Sequence, residues 1–253
     1  MKLKFLGTGT SQGIPVIGCQ CPVCTSNDME DNRLRSSAIL STDDGNKILI
    51  DCGPDFRTQM LNFKESTVDA ILITHEHNDH VIGLDDVRPI LFRTKKAMPI
   101  YCLKRVSNEI KNRFPYAFAD KKYPGAPSFK LKNIDDDFEI GNTKIIPVHV
   151  LHHELPILGF KINNLAYITD ASYISETEKN KLKNLDYLIL NCIRKTEPHP
   201  AHYILSDILQ LNEELNPKIL YLTHLSHHFG KHKENHQLPD NVRLAYDGLE
   251  IEF

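Results

Sequence analysis

An α/β layered sandwich is the fold class this sequence predicts. Strand-like runs first pair locally and then alternate with helix-like stretches, an order of elements that packs best as sheets covered by helices. A dense histidine and aspartate run follows one buried strand, and further histidines and an aspartate follow later ones. At 253 residues the chain can bury a sizeable core, and we expect one domain spanning residues 1–253.

Lys2–Leu6 is extended and leads into the loop Gly7-Thr8-Gly9-Thr10-Ser11. Ala38–Thr42 and Lys47–Asp51 flank Asp43-Asp44-Gly45-Asn46, which reads as a hairpin turn. Val68–Thr74 is a buried strand, because its apolar run is too short for a helix. Further strands are expected at Lys144–Val150, Gly159–Ile162, Leu165–Thr169, Tyr187–Asn191, Ile219–Thr223, Arg243–Tyr246 and Leu249–Phe253. Helices fit at Pro54–Asn62, Lys104–Phe114, Ser175–Leu185 and His202–Leu215. The stretch from Arg93 to Asp137 mixes Pro, Gly and aromatics and reads as a family-variable insertion.

A net charge of −3 and a pI near 6.5 argue against a broad basic surface for nucleic acid. Met1-Lys2-Leu3-Lys4-Phe5-Leu6-Gly7 lacks the apolar stretch of a signal peptide, and no window approaches the ~20 apolar residues that span a bilayer. The expectation is a cytoplasmic protein with no membrane partner. Its six cysteines then read as thiols or metal ligands rather than as disulfides.

The run Thr74-His75-Glu76-His77-Asn78-Asp79-His80 carries the chemistry. Residues two apart in an extended segment share a side, so His75 and His77 can grip one metal. Asp79 and His80 can turn toward a second metal if the chain bends there. Imidazole and carboxylate suit Zn, Mn or Fe. A second cluster, Cys19-Gln20-Cys21-Pro22-Val23-Cys24, puts three thiols too close together to pair without strain. They read as ligands of one metal that needs a fourth ligand, or as a redox-sensitive loop. Cys52, Cys102 and Cys192 lie in or beside apolar runs and are expected in the core.

The histidine run matches the H-x-H-x-D-H motif of the metallo-β-lactamase superfamily, and the rest of the chain resembles that superfamily in order. The resemblance implies a four-layer αββα sandwich around two divalent cations, Zn or Mn. Asp51 in Ile50-Asp51-Cys52-Gly53 corresponds to an aspartate that orients ligands. The third histidine falls at His152 or His153, with His152 favoured by its spacing to the following Glu-Leu-Pro. Asp170 matches the bridging aspartate and His224 the last histidine, although Asp170 alone reads equally as a helix N-cap. The implied sets are His75, His77 and His152 for one cation and Asp79, His80 and His224 for the other, with Asp170 between them.

Leu6-Gly7-Thr8-Gly9-Thr10-Ser11, Gly13-Ile14-Pro15 and Gly18-Cys19-x-Cys21-x-x-Cys24 look more narrowly like the start of PhnP-type cyclic-phosphate phosphodiesterases. That family pairs its three cysteines with a histidine three residues after the last active-site histidine, here His227, which implies one structural Zn. It also implies a proton donor at His202, with His199 as competitor. The expected activity is hydrolysis of a small, cyclic phosphodiester by water activated between two metals, with Asp79 and His202 in catalytic roles. A tRNA 3′-processing endonuclease is the nearest alternative, disfavoured by the charge and by the absence of a long Gly-rich, basic arm in Arg93–Asp137. Thioester or lactam hydrolysis and a non-catalytic metal-binding scaffold rank lower.

Remaining candidates have plainer readings. Gly7-Thr8-Gly9-Thr10-Ser11 could offer amides to a phosphate but reads better as a tight turn. Arg88 fits a structural ion pair better than a phosphate contact. His228, His232 and His236 are expected at the surface or a pocket rim. Phe114, Tyr116, Phe118 and Tyr123 fit either a pocket cap or a homodimer contact.

Overall fold

The computed structural model describes residues 1–253, folded as two sheets packed face to face with helices on both outer sides. The first sheet begins with β1 (Lys2–Gly7), β2 (Ser37–Ser41) and β3 (Lys47–Ile50), which are mutually antiparallel. Gly45 takes φ 85° in the β2–β3 turn, where the Thr42 and Asn46 backbones pair and a glycine relieves the left-handed conformation. Next come β4 (Ala70–Leu72), β5 (Met98–Cys102) and β6 (Phe129–Asn133), each parallel to its predecessor. Parallel neighbours need crossovers. These are supplied by α1 (Phe56–Asn62), then α2 (Asn78–Val81) and α3 (Arg88–Thr94), then α4 (Lys104–Arg113) and α5 (Pro115–Phe118).

The chain then builds the second sheet from β7 (Phe138–Ile140), β8 (Thr143–His152), β9 (Leu155–Ile162), β10 (Leu165–Tyr167), β11 (Tyr173–Ile174), β12 (Tyr187–Asn191), β13 (Ile219–Thr223) and β14 (Val242–Leu244). Helices α6 (Glu176–Leu182) and α7 (Leu205–Leu215) cover its outer face. The last strand, β15 (Glu250–Glu252), returns to the first sheet beside β1.

Period-2 patterning separates the layers. Ile48 and Ile50 face the core between the sheets, with Leu3, Phe5, Phe160 and Tyr167, while Leu49 faces the helices with Phe56, Ile90 and Val106. A third apolar cluster joins Leu188 and Leu220 to Leu182, Ile208 and Leu215. Three apolar layers between four structural layers make this the expected αββα sandwich. Cys52, Cys102 and Cys192 are buried in the two outer clusters, as the sequence suggested.

Residues 93–137, read above as a family-variable insertion, are built into the sandwich itself. They supply β5, α4, α5 and β6, which complete one edge of the first sheet. Lys130 and Lys132 alternate with apolar neighbours on β6, and Pro99 sits in β5, so neither segment has an uninterrupted apolar run. No helix is long and apolar enough to cross a membrane.

Candidate metal centre

The C-terminal ends of β3, β4, β8, β10 and β13 deliver Asp51, the His75–His80 run, His152, Asp170 and His224 to one place. His75 and His77 are extended, and His77 is the N-cap of α2, whose single turn redirects Asp79 and His80. Asp51, Asp170 and His224 all adopt left-handed backbone, at φ 60°, 59° and 54°. Such conformations cost on the order of 1 kcal/mol or more for a residue with a Cβ, and they swing each side chain off the line of its strand.

His75, His77 and His152 bring one donor atom each within 4.8 Å of one another, as do His75, His80 and Asp170, and Asp79, Asp170 and His224. Asp170 is shared by two of these groups. Its Oδ2 lies 3.9 Å from His75 Nε2 and 3.6 Å from His80 Nε2, and its Oδ1 lies 3.1 Å from His224 Nδ1. His80 Nε2 is also 3.2 Å from Asp79 Oδ2. His153 stays outside, exposed in a left-handed turn with its amide donating to Ser172 Oγ. His202 joins His152 and Asp170 in a further group, its ring 4.7 Å from that of His152 and 5.0 Å from that of His224. Asp170 is followed by strand β11, not by a helix that it could cap.

This donor set fits divalent cations. His75 Nε2 and His80 Nε2 are fully buried without hydrogen-bond partners, which is costly unless something fills the gap. Burial, and then the neighbouring His80, push His75 well below its ordinary range, so it stands as a neutral imidazole with a free lone pair. Burial opposes charge on His80, but Asp170, Asp51 and Asp79 outweigh it and hold His80 protonated well above the usual range. Likewise, burial would raise Asp170, yet His224 and His80 keep its carboxyl well below the carboxylate range. Carboxylates gathered this tightly call for positive charge.

A surrounding layer fixes the donors. Asp51 Oδ2 is 2.7 Å from His80 Nδ1, and its Oδ1 accepts from the Thr74 amide at 2.8 Å. His152 Nδ1 lies 2.8 Å from both the Asp170 and Ala201 carbonyls. Two carbonyl acceptors require the proton on Nδ1, which leaves Nε2 as the donor. Ser36 Oγ lies 3.1 Å from His224 Nδ1, and Thr169 Oγ1 donates to Asp170 Oδ1 at 2.6 Å. Two arginines of α4 reach the segment between His75 and His77: Arg105 pairs with the Glu76 carboxylate and Arg113 donates to the Glu76 carbonyl. Arg105 also donates to the Pro156 carbonyl at 2.6 Å, tying the run to the β8–β9 hairpin that carries His152.

The sequence reading did not single out Ser36, Thr169, Arg105 or Arg113. Of these, only the two arginines left a signal, as basic residues on one short helix. Arg88 pairs with Asp85. Thr8 Oγ1 donates to Asp247 and the Gly9 amide to Leu34, so the Gly7–Ser11 loop is held inside the fold. Phe114 is buried in the core and the Tyr116 hydroxyl donates to Asp85, while Tyr123 is exposed.

At the outer cluster, the Sγ atoms of Cys19, Cys21 and Cys24 lie 3.3, 3.4 and 3.5 Å from His227 Nδ1. A tetrahedral ion with metal–sulfur bonds near 2.3 Å and a metal–nitrogen bond near 2.0 Å has S···N edges of about 3.5 Å. All six cysteines are free thiols. Burial would raise the Cys21 thiol, but the Cys24 amide and His227 outweigh it and bring it down to about 6.

Two hollows flank the inner cluster. One, about 450 Å³, is lined by His77, His152, His153, Glu154 and Leu155. The other, about 320 Å³, runs from His202 and His199 between β11 and α7. A roomier one of about 550 Å³ lies along α1 and α3 and includes none of the clustered donors.

Residues 46–225 match the β-lactamase superfamily domain. A crystal structure described as a new diphosphatase from the PhnP family superimposes with a TM-score of 0.92 at 40% identity, covering 100% of this chain and 97% of that one. Zinc-bound PqqB from Methylobacterium extorquens shares the fold with a TM-score of 0.81 at 16% identity, each chain fully covered. An octanoyltransferase of Porphyromonas gingivalis is 40% identical over 253 residues, 99% of this chain and 51% of the relative. The chain thus spans about half the length of that relative. Matched over most of its length by the superfamily, and over all of it by a diphosphatase that shares two residues in five, the chain belongs to the PhnP family of metallo-β-lactamase-fold hydrolases.

Proposed function

We propose that this hydrolase is a phosphodiesterase that opens a small, cyclic phosphodiester. The observation that carries the reading is the placement of Asp170, one buried carboxylate within reach of His75, His80 and His224. A carboxylate shared between two histidine groups fits a pair of close cations, His75, His77 and His152 holding one and Asp79, His80 and His224 the other. Zinc or manganese suits these nitrogen and oxygen donors, and zinc suits Cys19, Cys21, Cys24 and His227. When bound, paired cations acidify a water and stabilise the added negative charge of a phosphoryl transition state. The similarity to the PhnP-family diphosphatase supports phosphorus as the centre attacked.

The protein's own residues would do the rest. Burial, and then His224, bring His202 down to about 3 in the free site, so it waits there as a neutral ring. An anionic phosphodiester beside it favours the imidazolium, which can hand its proton to the departing oxygen. Asp79, on the first turn of α2, helps to hold the pair and orient the water.

A tRNA-processing role is less well supported: residues 93–137, where a gripping arm was sought, are mostly taken up by β5, α4, α5 and β6. Octanoyl transfer belongs to a relative twice as long, and the donor set at the strand ends favours metal-assisted hydrolysis. The test is a panel on the metal-reconstituted protein: a cyclic ribose phosphate, an aryl phosphodiester, pre-tRNA, a thioester, a β-lactam and an octanoyl donor. Turnover of the cyclic ester is expected to dominate. Activity on the thioester, lactam or octanoyl donor with none on any phosphodiester would overturn the proposal.

A further inference from the structure

The stretch from Arg88 to Lys132 carries twelve of the chain's 30 lysines and arginines but only two of its 33 aspartates and glutamates. A chain of net charge −3 thus gathers cations on the α3–β6 edge of the first sheet. Arg88 is bound to Asp85 and Arg105 to Glu76. By contrast, Lys95 and Lys96 beyond α3, and Lys121 and Lys122 beyond α5, are exposed and in no ion pair. Arg93 reaches only the Ser66 carbonyl, and Arg57 on α1 is exposed without a partner.

Large apolar side chains stand among these charges. Leu61, Phe92 and Tyr123 are 61%, 48% and 49% exposed. Leu61 and Phe92 line the hollow of about 550 Å³ along α1 and α3, whose floor is the buried Phe56, Met60 and Ile90. Gly125 packs toward the Phe92 ring, whose Cζ is 3.8 Å from where a Cβ would stand, and so brings the Tyr123 loop beside α3. Of the carboxylates at this hollow, Glu65 is held by Lys4 and Lys47, and Asp85 by Arg88. Asp86 and Asp120 are the unpaired acids of the face, against six unpaired cations.

We propose that this face rests on an anionic lipid bilayer, with Leu61, Phe92 and Tyr123 at the boundary of headgroups and acyl chains and the six cations on lipid phosphates. Lysine and arginine stems lie along apolar surface while their heads reach the charge, so both kinds of side chain are served by one interface. A nucleic-acid backbone would answer the cations but leave Leu61 and the apolar floor of the hollow facing water, whereas an acyl chain covers them. The expectation of no membrane partner rested on the lack of a leader and of a spanning segment. A surface that lies on a bilayer needs neither.

The test is cosedimentation of the metal-loaded full chain with phosphatidylcholine vesicles, with and without phosphatidylglycerol. Binding to the anionic vesicles, weakened by salt, is expected, and none to phosphatidylcholine alone. Lys95→Glu with Lys96→Glu should weaken binding by about 25-fold or more, roughly fivefold for each lysine lost. Leu61→Ser with Phe92→Ser should weaken it about tenfold. Lys183→Glu, just beyond α6 on the other sheet, should leave binding unchanged. These side chains are all exposed, so each variant is expected to keep the wild-type melting temperature. No binding to anionic vesicles, binding indifferent to either double variant, or equal loss with Lys183→Glu would overturn the proposal. So would capture of a single-stranded RNA oligonucleotide without any binding to vesicles, which would make the face a nucleic-acid surface.

Discussion

His202 sits between the rings of His152 and His224 with its Nδ1 buried and unpartnered. If its work is to carry a proton, His202→Ala should lower kcat by about 10²–10⁴ and leave the inner metal content unchanged by atomic emission. Loss of an inner ion would make it a ligand instead. Asp247 presents a different single-residue question. It is half-buried, accepting from Thr8 Oγ1 and the Leu34 amide at 2.7 Å each, and desolvation pushes its carboxyl up to about 7. The folded value lies above the unfolded one of about 3.9, so its contribution to stability is full below that value and is lost as pH rises through about 7. The gap in melting temperature between wild type and Asp247→Asn should therefore shrink from pH 5 to pH 8. A constant gap across that interval would show that the carboxyl is not shifted.

At the scale of elements, α4 acts as a strut between the two halves of the site. Arg105 holds Glu76 on one side and the Pro156 carbonyl on the other, so one side chain relates His75 and His77 to His152. Arg105→Ala should weaken the cation held by those three histidines by about 10–100-fold in equilibrium dialysis, while the second cation is retained and Arg105→Lys recovers part of the loss. Equal loss of both ions would argue against a selective strut. The Cys19–Cys24 loop is a separate element, stitched to His227 three residues beyond His224. Cys21→Ser should remove the outer ion and lower the melting temperature, with the inner pair still largely occupied. The candidate ligands were legible because short motifs mark them: four donors within six residues after β4, and three thiols within six. The layer behind them was not. Ser36 and His224 are 188 residues apart, and nothing near either of them in sequence announces the hydrogen bond.

For the whole molecule, the metal centre lies across the junction of two sheets. Asp51 and the His75–His80 run belong to the first, and His152, Asp170 and His224 to the second. Cations bound here would link the sheets and stabilise the folded state by mass action, about 2.7 kcal/mol when the free ion is at a hundred times its Kd. Chelation should accordingly lower the melting temperature, and re-addition of zinc or manganese should restore it. A melting temperature indifferent to stripped inner ions would mean that the sheets hold together without them. The sandwich itself could be read from local pairing followed by alternation. The far edge of the first sheet could not, because β5 and β6 are short segments whose prolines and lysines hide their place beside buried neighbours.

The left-handed backbone at Asp51, Asp170 and His224 bears on how such a chain changes over generations. Asparagine and glycine tolerate that conformation better than most residues, and each is a modest change from aspartate or histidine. Replacing one of these side chains with asparagine or glycine therefore silences the chemistry while easing the main chain, whereas a β-branched residue at the same place would damage both. Descendants of this fold that have given up hydrolysis are expected to carry asparagine or glycine at these three strand ends, the eased main chain offsetting part of the stability lost with the cations.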